Sequence, residues 1–288
     1  MNSSRVIDGH LHLWDPTRLH YDWVEDDDRL NRAWLPEHLD RGSSGVTDFV
    51  FVQADAHVNE GLLEAQWVNS IADGRPEVAA IVAFAPIEHG TRVAAALDAL
   101  VEVPRVVGIR RLLQNEDAAF LERPELAKGL VELSRRGLSF DACVRWHQLP
   151  ALSRLLDTAP DLVVVLDHLG KPPIADGPGD SFAAWEASLK QLAANPNVLL
   201  KVSGLYAECP PGDDLNATVR PYLETGLGIF GSSRSLIGSD WPVSAVFPQP
   251  IAYDSWFRLV LDGLGLSANE RDDIAWRTAA RAYRIPEA

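Results

Sequence analysis

The most constraining feature of this chain is a rhythm. Eight short apolar runs, at Val6–Leu13, Asp48–Ala54, Ala79–Pro86, Arg105–Leu112, Leu138–Arg145, Leu162–Asp167, Asn197–Ser203 and Leu236–Ser239, recur along the whole sequence. Several, such as AAIVAFAP and LVVVLDH, are continuously hydrophobic, which suits strands buried on both faces of a parallel sheet. Stretches of helical periodicity fill the gaps: Gly61–Asp73, Thr91–Val101, Pro124–Arg136, Leu149–Ala159, Phe182–Ala194 and Leu215–Phe230. Ser255–Gly263 and Ala268–Tyr283 follow as the last helices. Pro124 with Glu125 reads as a helix start, and Gly137 after Arg135–Arg136 as a stop. The pattern alone is compatible with a closed (β/α)8 TIM-like barrel or a doubly wound open sheet; eight repeated units close more readily than they stay open.

No Gly/Ser linker, repeat with shared side chains or low-complexity tract divides the 288 residues, so residues 1–288 read as a single-domain α/β barrel. One connection is long. Residues 15–47, between the first two strands, hold Tyr21, Trp23 and Trp34 beside Trp14, plus the acidic run Glu25–Asp28. A loop this long is usually functional, and its aromatics argue against disorder, so it is expected to form an ordered flap over the barrel mouth. The charge balance, 26 − 41 = −15, comes without a Lys/Arg cluster and excludes nucleic-acid binding through phosphate neutralisation. Cys143 and Cys209 show no metal-finger spacing and read as free thiols. The start of the chain carries no secretory pattern and no apolar run is long enough to span a bilayer, so a cytoplasmic protein without a membrane partner is expected.

The chemistry-bearing residues sit where such strands end. In Asp8-Gly-His10-Leu-His12-Leu-Trp14, strand alternation sends His10 and His12 to one face. Two adjacent imidazoles can grip a divalent metal or hydrogen-bond a substrate oxygen; the plainer reading is a pair of structural histidines. Gly238-Ser-Asp240-Trp241-Pro242 follows the last strand, placing a carboxylate at the mouth that can accept a proton from water or ligate a metal. In Leu166-Asp167-His168-Leu-Gly-Lys171-Pro, alternation sends the two adjacent polar residues opposite ways; His168 is expected inward and Asp167 against a neighbouring loop, although the reverse satisfies the same pattern. Arg110 and Arg111 end the fourth strand, Gln53 and Asp55 the second, and Lys201 with Ser203 the seventh; Arg145 and His147 follow the fifth. Each of these alone is more simply a salt-bridged barrel residue, but all lie at C-terminal strand ends, where barrel active sites form.

HxHxW, DHLGKP and GSDWP in that order resemble the amidohydrolase superfamily, and within it the amidohydrolase-2 group of sugar lactonases and pyrone-dicarboxylate lactonases. The resemblance runs over nearly the whole chain and includes Asn195-Pro-Asn-Val-Leu-Leu-Lys201-Val-Ser-Gly204, Arg220-Pro-Tyr222, Phe230-Gly231 and Ala279-Ala-Arg-Ala-Tyr283. It implies a TIM-like barrel that opens a small lactone to a hydroxy acid, with Asp240 as the water-activating base and His10, His12 and His168 around the reacting carbonyl. Some members of the group bind zinc and others hydrolyse without it. Here His10, His12, His168 and Asp240 would be the ligands, and no lysine ends the fourth strand to bridge two ions, so one divalent metal or none is implied. Where relatives commonly read GIRH, this chain reads Gly108-Ile-Arg-Arg111, a departure that bears on substrate identity.

The expected partner is therefore a small-molecule lactone, contacted by Arg110, Arg111, Gln53, Arg145, His147, Lys201, Trp14 and Trp241. A homodimer is left open. No GxSxG elbow supports a serine nucleophile. The alternatives are a metal-dependent decarboxylase of the same superfamily, distinguished by CO₂ release, and a non-catalytic sugar-binding barrel, which would leave its ligand unchanged.

Overall fold

The computed structural model describes residues 5–287. Its eight strands are β1 (Val6–Leu11), β2 (Val46–Val52), β3 (Val78–Phe84), β4 (Val106–Leu112), β5 (Ser139–Cys143), β6 (Val164–Leu166), β7 (Val198–Val202) and β8 (Ser235–Ile237). They form one parallel sheet in the order of the sequence. Between β1 and β8 the Asp240 N–H donates to the His10 carbonyl (2.8 Å) and the His12 N–H to the Trp241 carbonyl (2.8 Å). A doubly wound sheet would reverse strand order at a switch point. Sequential order with the ends joined makes a barrel.

The helices lie outside it: α1 (Gly61–Gly74), α2 (Ala94–Val101), α3 (Pro124–Arg135), α4 (Leu149–Leu156), α5 (Asp180–Ala193) and α6 (Leu215–Phe230), before shorter C-terminal pieces ending at Ala282. Local chemistry explains the sharper boundaries. After α3, Gly137 takes φ +65°, its N–H donates to the Ser134 carbonyl (3.0 Å), and the Leu138 N–H donates to Leu133 (3.1 Å). This pair of bonds ends a helix by satisfying its last carbonyls, and glycine adopts the required left-handed conformation without strain.

Strand alternation sorts the core into two layers. Phe49, Phe51, Ile81, Ile109 and Leu166 point outward against Val68, Leu97, Leu130 and Leu152 of the helices. Ile7, Val50, Val82, Val165, Leu199 and Leu236 fill the interior, closed from below by Ala279, Ala280 and Tyr283. Each fully buried aliphatic side chain contributes about 1.5–3 kcal/mol. The interior is thus apolar at the lower end, and its polar residues are concentrated above.

The long first connection is ordered by its aromatics. Trp14 and Trp34 pair through two backbone hydrogen bonds, 3.1 and 2.8 Å, and Trp14, Tyr21 and Trp34 are buried. Trp23 stands apart: its ring packs edge-on against Trp14, its indole N–H donates to the Ala54 carbonyl (2.7 Å), and it remains 37% exposed at the barrel mouth.

Candidate active site

The first strand delivers its two histidines through a local irregularity. The register of β1 against β2 shifts between Asp8 and Leu11. Asp8 is anchored by the Ser239 N–H (2.8 Å), the Ser239 hydroxyl (2.6 Å) and the Tyr253 hydroxyl (2.7 Å), which ties β1 to the loop after β8. Gly238 permits the close approach: a Cβ there would lie 2.6 Å from the His10 Cβ. His10 and His12 then meet with their Nε2 atoms 3.1 Å apart.

Asp240 faces this pair from the β8 loop, in a left-handed conformation (φ +59°) that aspartate tolerates better than most residues. Its Oδ1 lies 3.4 Å from His12 Nε2, 3.6 Å from His10 Nε2 and 3.9 Å from His168 Nε2. Its Oδ2 accepts from the Ser244 hydroxyl (2.8 Å). Burial pushes the Asp240 carboxyl up, but His168, His12 and His10 outweigh burial and hold it below the usual carboxylate range, so it is ionised at neutral pH. Burial pushes His168 down to about 4, so that imidazole is neutral there. His168 Nδ1 meets the Ser203 hydroxyl at 2.9 Å, and only glycine fits beside it: a Cβ on Gly204 would lie 2.3 Å from that nitrogen.

Below these groups lies a sealed cluster. Lys201 Nζ donates to Asp141 and toward His10 Nδ1 (3.1 Å), its charge is paired with Asp167 Oδ1 at 2.8 Å, and the Tyr283 hydroxyl donates to Asp141 (2.7 Å). Lys201, Asp141 and Asp167 are all fully buried. Burial pushes the ammonium down, but the carboxylates of Asp141 and Asp167 more than compensate and raise it. Burial, then the adjacent Lys201, holds His10 well below the usual imidazole range.

The expected site residues divide into two sets. His10, His12, His168 and Asp240 converge; of these His12, His168 and Asp240, joined by Arg110, line a cavity of about 320 Å³, a size suited to a small ligand, with His10 buried behind them. The others do not line it. Arg111 points away, paired with Glu88 (3.0 Å) and Glu116 (2.6 Å). Gln53 is buried, its side-chain oxygen taken by the Asp55 N–H (2.6 Å). Lys201 is sealed beneath His10, and Trp14 and Trp241 are packed around Trp34. Arg145 pairs with Glu208 (3.6 Å), and His147 is exposed against Trp146. Strand alternation explains Arg111: its neighbour Arg110 takes the inward position, so Arg111 takes the helix side.

The orientation of Asp167 differs from the expectation. The strand ends at Leu166, and His168 and Leu169 both take φ +54°, so alternation stops at this point. Asp167 and His168 therefore both face inward, with Asp167 Oδ2 3.7 Å from Arg110. Asp141, Lys171 and Glu208 were not singled out as site residues. An aspartate inside the apolar run of β5 was the available signal for Asp141. Lys171 and Glu208 form an ion pair (2.8 Å) across the cavity wall, a contact between two loops that no local pattern shows.

His10 Nε2, His12 Nε2 and Asp240 Oδ1 could hold one divalent metal, since all three lie within 4.8 Å of one another. Their 3.1–3.6 Å separations match the edges of a tetrahedral zinc shell, whose bonds are about 2.0–2.2 Å. His12 fits further: its Nδ1 lies 2.7 Å from the Val52 carbonyl, which can only accept, so the neutral form of this imidazole has its lone pair on Nε2.

Eight parallel strands with ionised aspartate and neutral imidazoles at their C-terminal mouth define a barrel hydrolase site. Residues 7–285 match the family described as Amidohydrolase, and the chain belongs to that family. It is 34% identical over 254 residues, 87% of this chain and 84% of the relative, to an L-fucono-1,5-lactonase of Burkholderia ambifaria. An amidohydrolase of Burkholderia multivorans solved with bound zinc superposes with a TM-score of 0.86 at 30% identity, covering 98% of this chain and 99% of that one. A 2,6-dihydroxybenzoate decarboxylase from Rhizobium, covering 99% of each chain at 12% identity and a TM-score of 0.63, shares the fold. Among the described residues no helix is long and apolar enough to cross a membrane.

Proposed function

We propose that this chain hydrolyses a small, hydroxyl-rich lactone of the aldonolactone type, with Asp240 as general base. The observation that carries the reading is the convergence of three imidazole Nε2 atoms on one oxygen of an ionised, buried aspartate. Ser244 engages Oδ2, which leaves Oδ1 to accept a proton from water. The water oxygen attacks the lactone carbonyl carbon, and its proton passes to Asp240. The ring C–O bond then breaks, and the departing alkoxide takes the proton back, giving a hydroxy acid and the starting carboxylate. General base catalysis of this kind contributes about 10²–10⁴-fold. His12 and His168 line the cavity beside Asp240, where they flank the reacting oxygen, with His10 behind them, and Trp23 of the 15–47 segment closes one side of the mouth as part of a flap.

A divalent cation, zinc by likeness to the Burkholderia multivorans structure, would be held by His10, His12 and Asp240, with His168 beside them, and would polarise the carbonyl when bound.

The wall charges favour a neutral polyol over a dicarboxylated pyrone. The two cations at the wall are already engaged, Lys171 by Glu208 and Arg110 by Asp167 and the Gln53 carbonyl. Asp55 faces the cavity without a side-chain partner among the described residues, and Gln114 and Asn115 add amides. Carboxylates and amides suit hydroxyl hydrogens, and they repel or underserve a dianion.

The test is a hydrolysis screen of aldono-1,4- and 1,5-lactones beside dicarboxylated pyrones, read as acid release. Acid release from aldonolactones that disappears in Asp240→Asn is expected. Near-normal turnover by that variant, or CO₂ release from an aromatic acid, would sink the reading.

A further inference from the structure

Lys201 lies in mid-barrel with no exposed surface and three acceptors around its ammonium: Asp141 Oδ2, Asp167 Oδ1 at 2.8 Å and His10 Nδ1 at 3.1 Å. An ammonium has three hydrogens and no lone pair. Asp141 takes one of these hydrogens and Asp167 Oδ1 balances the charge; the hydrogen directed at His10 requires Nδ1 to present a lone pair. A neutral imidazole with a bare Nδ1 carries its hydrogen on Nε2. At the far end of the chain of contacts, the Val52 carbonyl accepts at 2.7 Å and places a hydrogen on His12 Nδ1, so the neutral form of that imidazole has a bare Nε2. One hydrogen remains, on His10 Nε2, and it occupies the 3.1 Å gap to the bare His12 Nε2. Two ends that cannot exchange roles, an ammonium and a carbonyl, set the direction of every bond from Lys201 through His10 and His12 to Val52.

We infer that Lys201 is a positioning residue that locks His10 in its Nε2–H tautomer and so withholds one of the three donors a metal would need at His10, His12 and Asp240. The donor set has the right dimensions, but the His10 lone pair points the wrong way. For His10 Nε2 to ligate, its hydrogen must move to Nδ1 and the Lys201 hydrogen bond must be given up. The hydrogen on Nδ1 would then have Asp167 Oδ1, 3.4 Å away, as its acceptor. A carboxylate behind a ligating imidazole is the usual support of a metal site. Here that carboxylate already serves the ammonium. The inference concerns the imidazole pair alone and holds whichever lactone is the substrate.

The experiment reads tautomer and affinity, not turnover. In metal-stripped, ¹⁵N-labelled full-length protein, with His10 assigned by comparison with His10→Gln, we expect an unprotonated Nδ1 and a protonated Nε2 on His10. Lys201→Met paired with Asp141→Asn removes the ammonium together with one carboxylate and leaves Asp167 behind His10. In that double variant His10 should switch to Nδ1–H, and the zinc dissociation constant measured by calorimetry should fall at least tenfold. A His10 that already carries its hydrogen on Nδ1 in the unsubstituted protein overturns the inference, whether or not the variant folds. So does a folded double variant with unchanged tautomer and unchanged zinc affinity.

Discussion

Two polar regions sit one above the other inside this barrel, and they use similar residues to opposite ends. The mid-barrel cluster of Lys201, Asp141, Asp167 and Tyr283 has no opening to solvent, whereas Asp240, His168 and His12 line a cavity. In the lower cluster an ammonium sits against two carboxylates, so its charges are spent on one another. In the upper one the carboxylate faces three imidazoles and the Ser244 hydroxyl, with no lysine or arginine in ion-pair contact among the described residues. Burial makes both expensive, but an ion pair offsets that cost within itself, while an under-partnered carboxylate stays reactive. The lower region therefore orients, and the upper region reacts.

The separation can be broken at several points. Asp240→Asn should lower kcat/KM by roughly 10³-fold or more, about 4 kcal/mol, with the thermal midpoint nearly unchanged; unfolding of this variant would show that the mouth is structural after all. Lys201→Met leaves Asp141 and Asp167 buried without their cation, and should cost about 3–5 kcal/mol in urea denaturation. A loss under about 1 kcal/mol would mean that the lower cluster is not held by its charges.

Glu64 on α1 sharpens the contrast, because it is sealed with no cation in ion-pair contact among the described residues; the Ala54 N–H donates to it (3.0 Å). Burial pushes its carboxyl up to about 8 from an ordinary 4.5. A raised folded-state value means that the unfolded chain ionises first as pH rises. The contribution is full below pH 4.5 and is lost progressively as pH climbs through 8. Glu64→Gln should remove this dependence, gaining on the parent by on the order of 3 kcal/mol between pH 5 and 8 in paired denaturation curves. A constant difference across that range would show that Glu64 is ionised in the folded protein.

The smallest expected effect concerns the open region's selectivity. Asp55→Asn should raise KM for aldonolactones about tenfold, near 1.4 kcal/mol, while binding of a dicarboxylated pyrone measured as inhibition strengthens. Equal shifts for both ligands would remove Asp55 from selectivity.

Much of this arrangement was visible along the chain. The eight apolar runs located all eight strands, since a strand buried on both faces needs an uninterrupted apolar stretch. The HxH pair and Asp240 could be read as mouth residues because each closes such a run. Asp167 was misjudged where alternation was extended through His168, whose left-handed backbone ends it. Lys201 stood at the end of a strand like Arg110 and looked equally open to substrate; only the carboxylates across the barrel, on β5 and after β6, show that it is enclosed.

Periodicity and the polar residues at strand ends were enough to lay out eight strand–helix units and nominate their C-terminal ends, because both depend on backbone geometry over a few residues. Closure into a barrel was settled by the sequential strand order and the joined ends. The choice between Arg110 and Arg111, the sealing of Lys201 and the direction of the His10–His12 hydrogen bond required the closed cylinder. Each depends on a partner from a distant strand: Asp141 is 60 positions from Lys201, and His10 is 191. Local spacing carries no information about which side chains face one another across an interior, and that pairing sets which charges cancel and which remain available for chemistry.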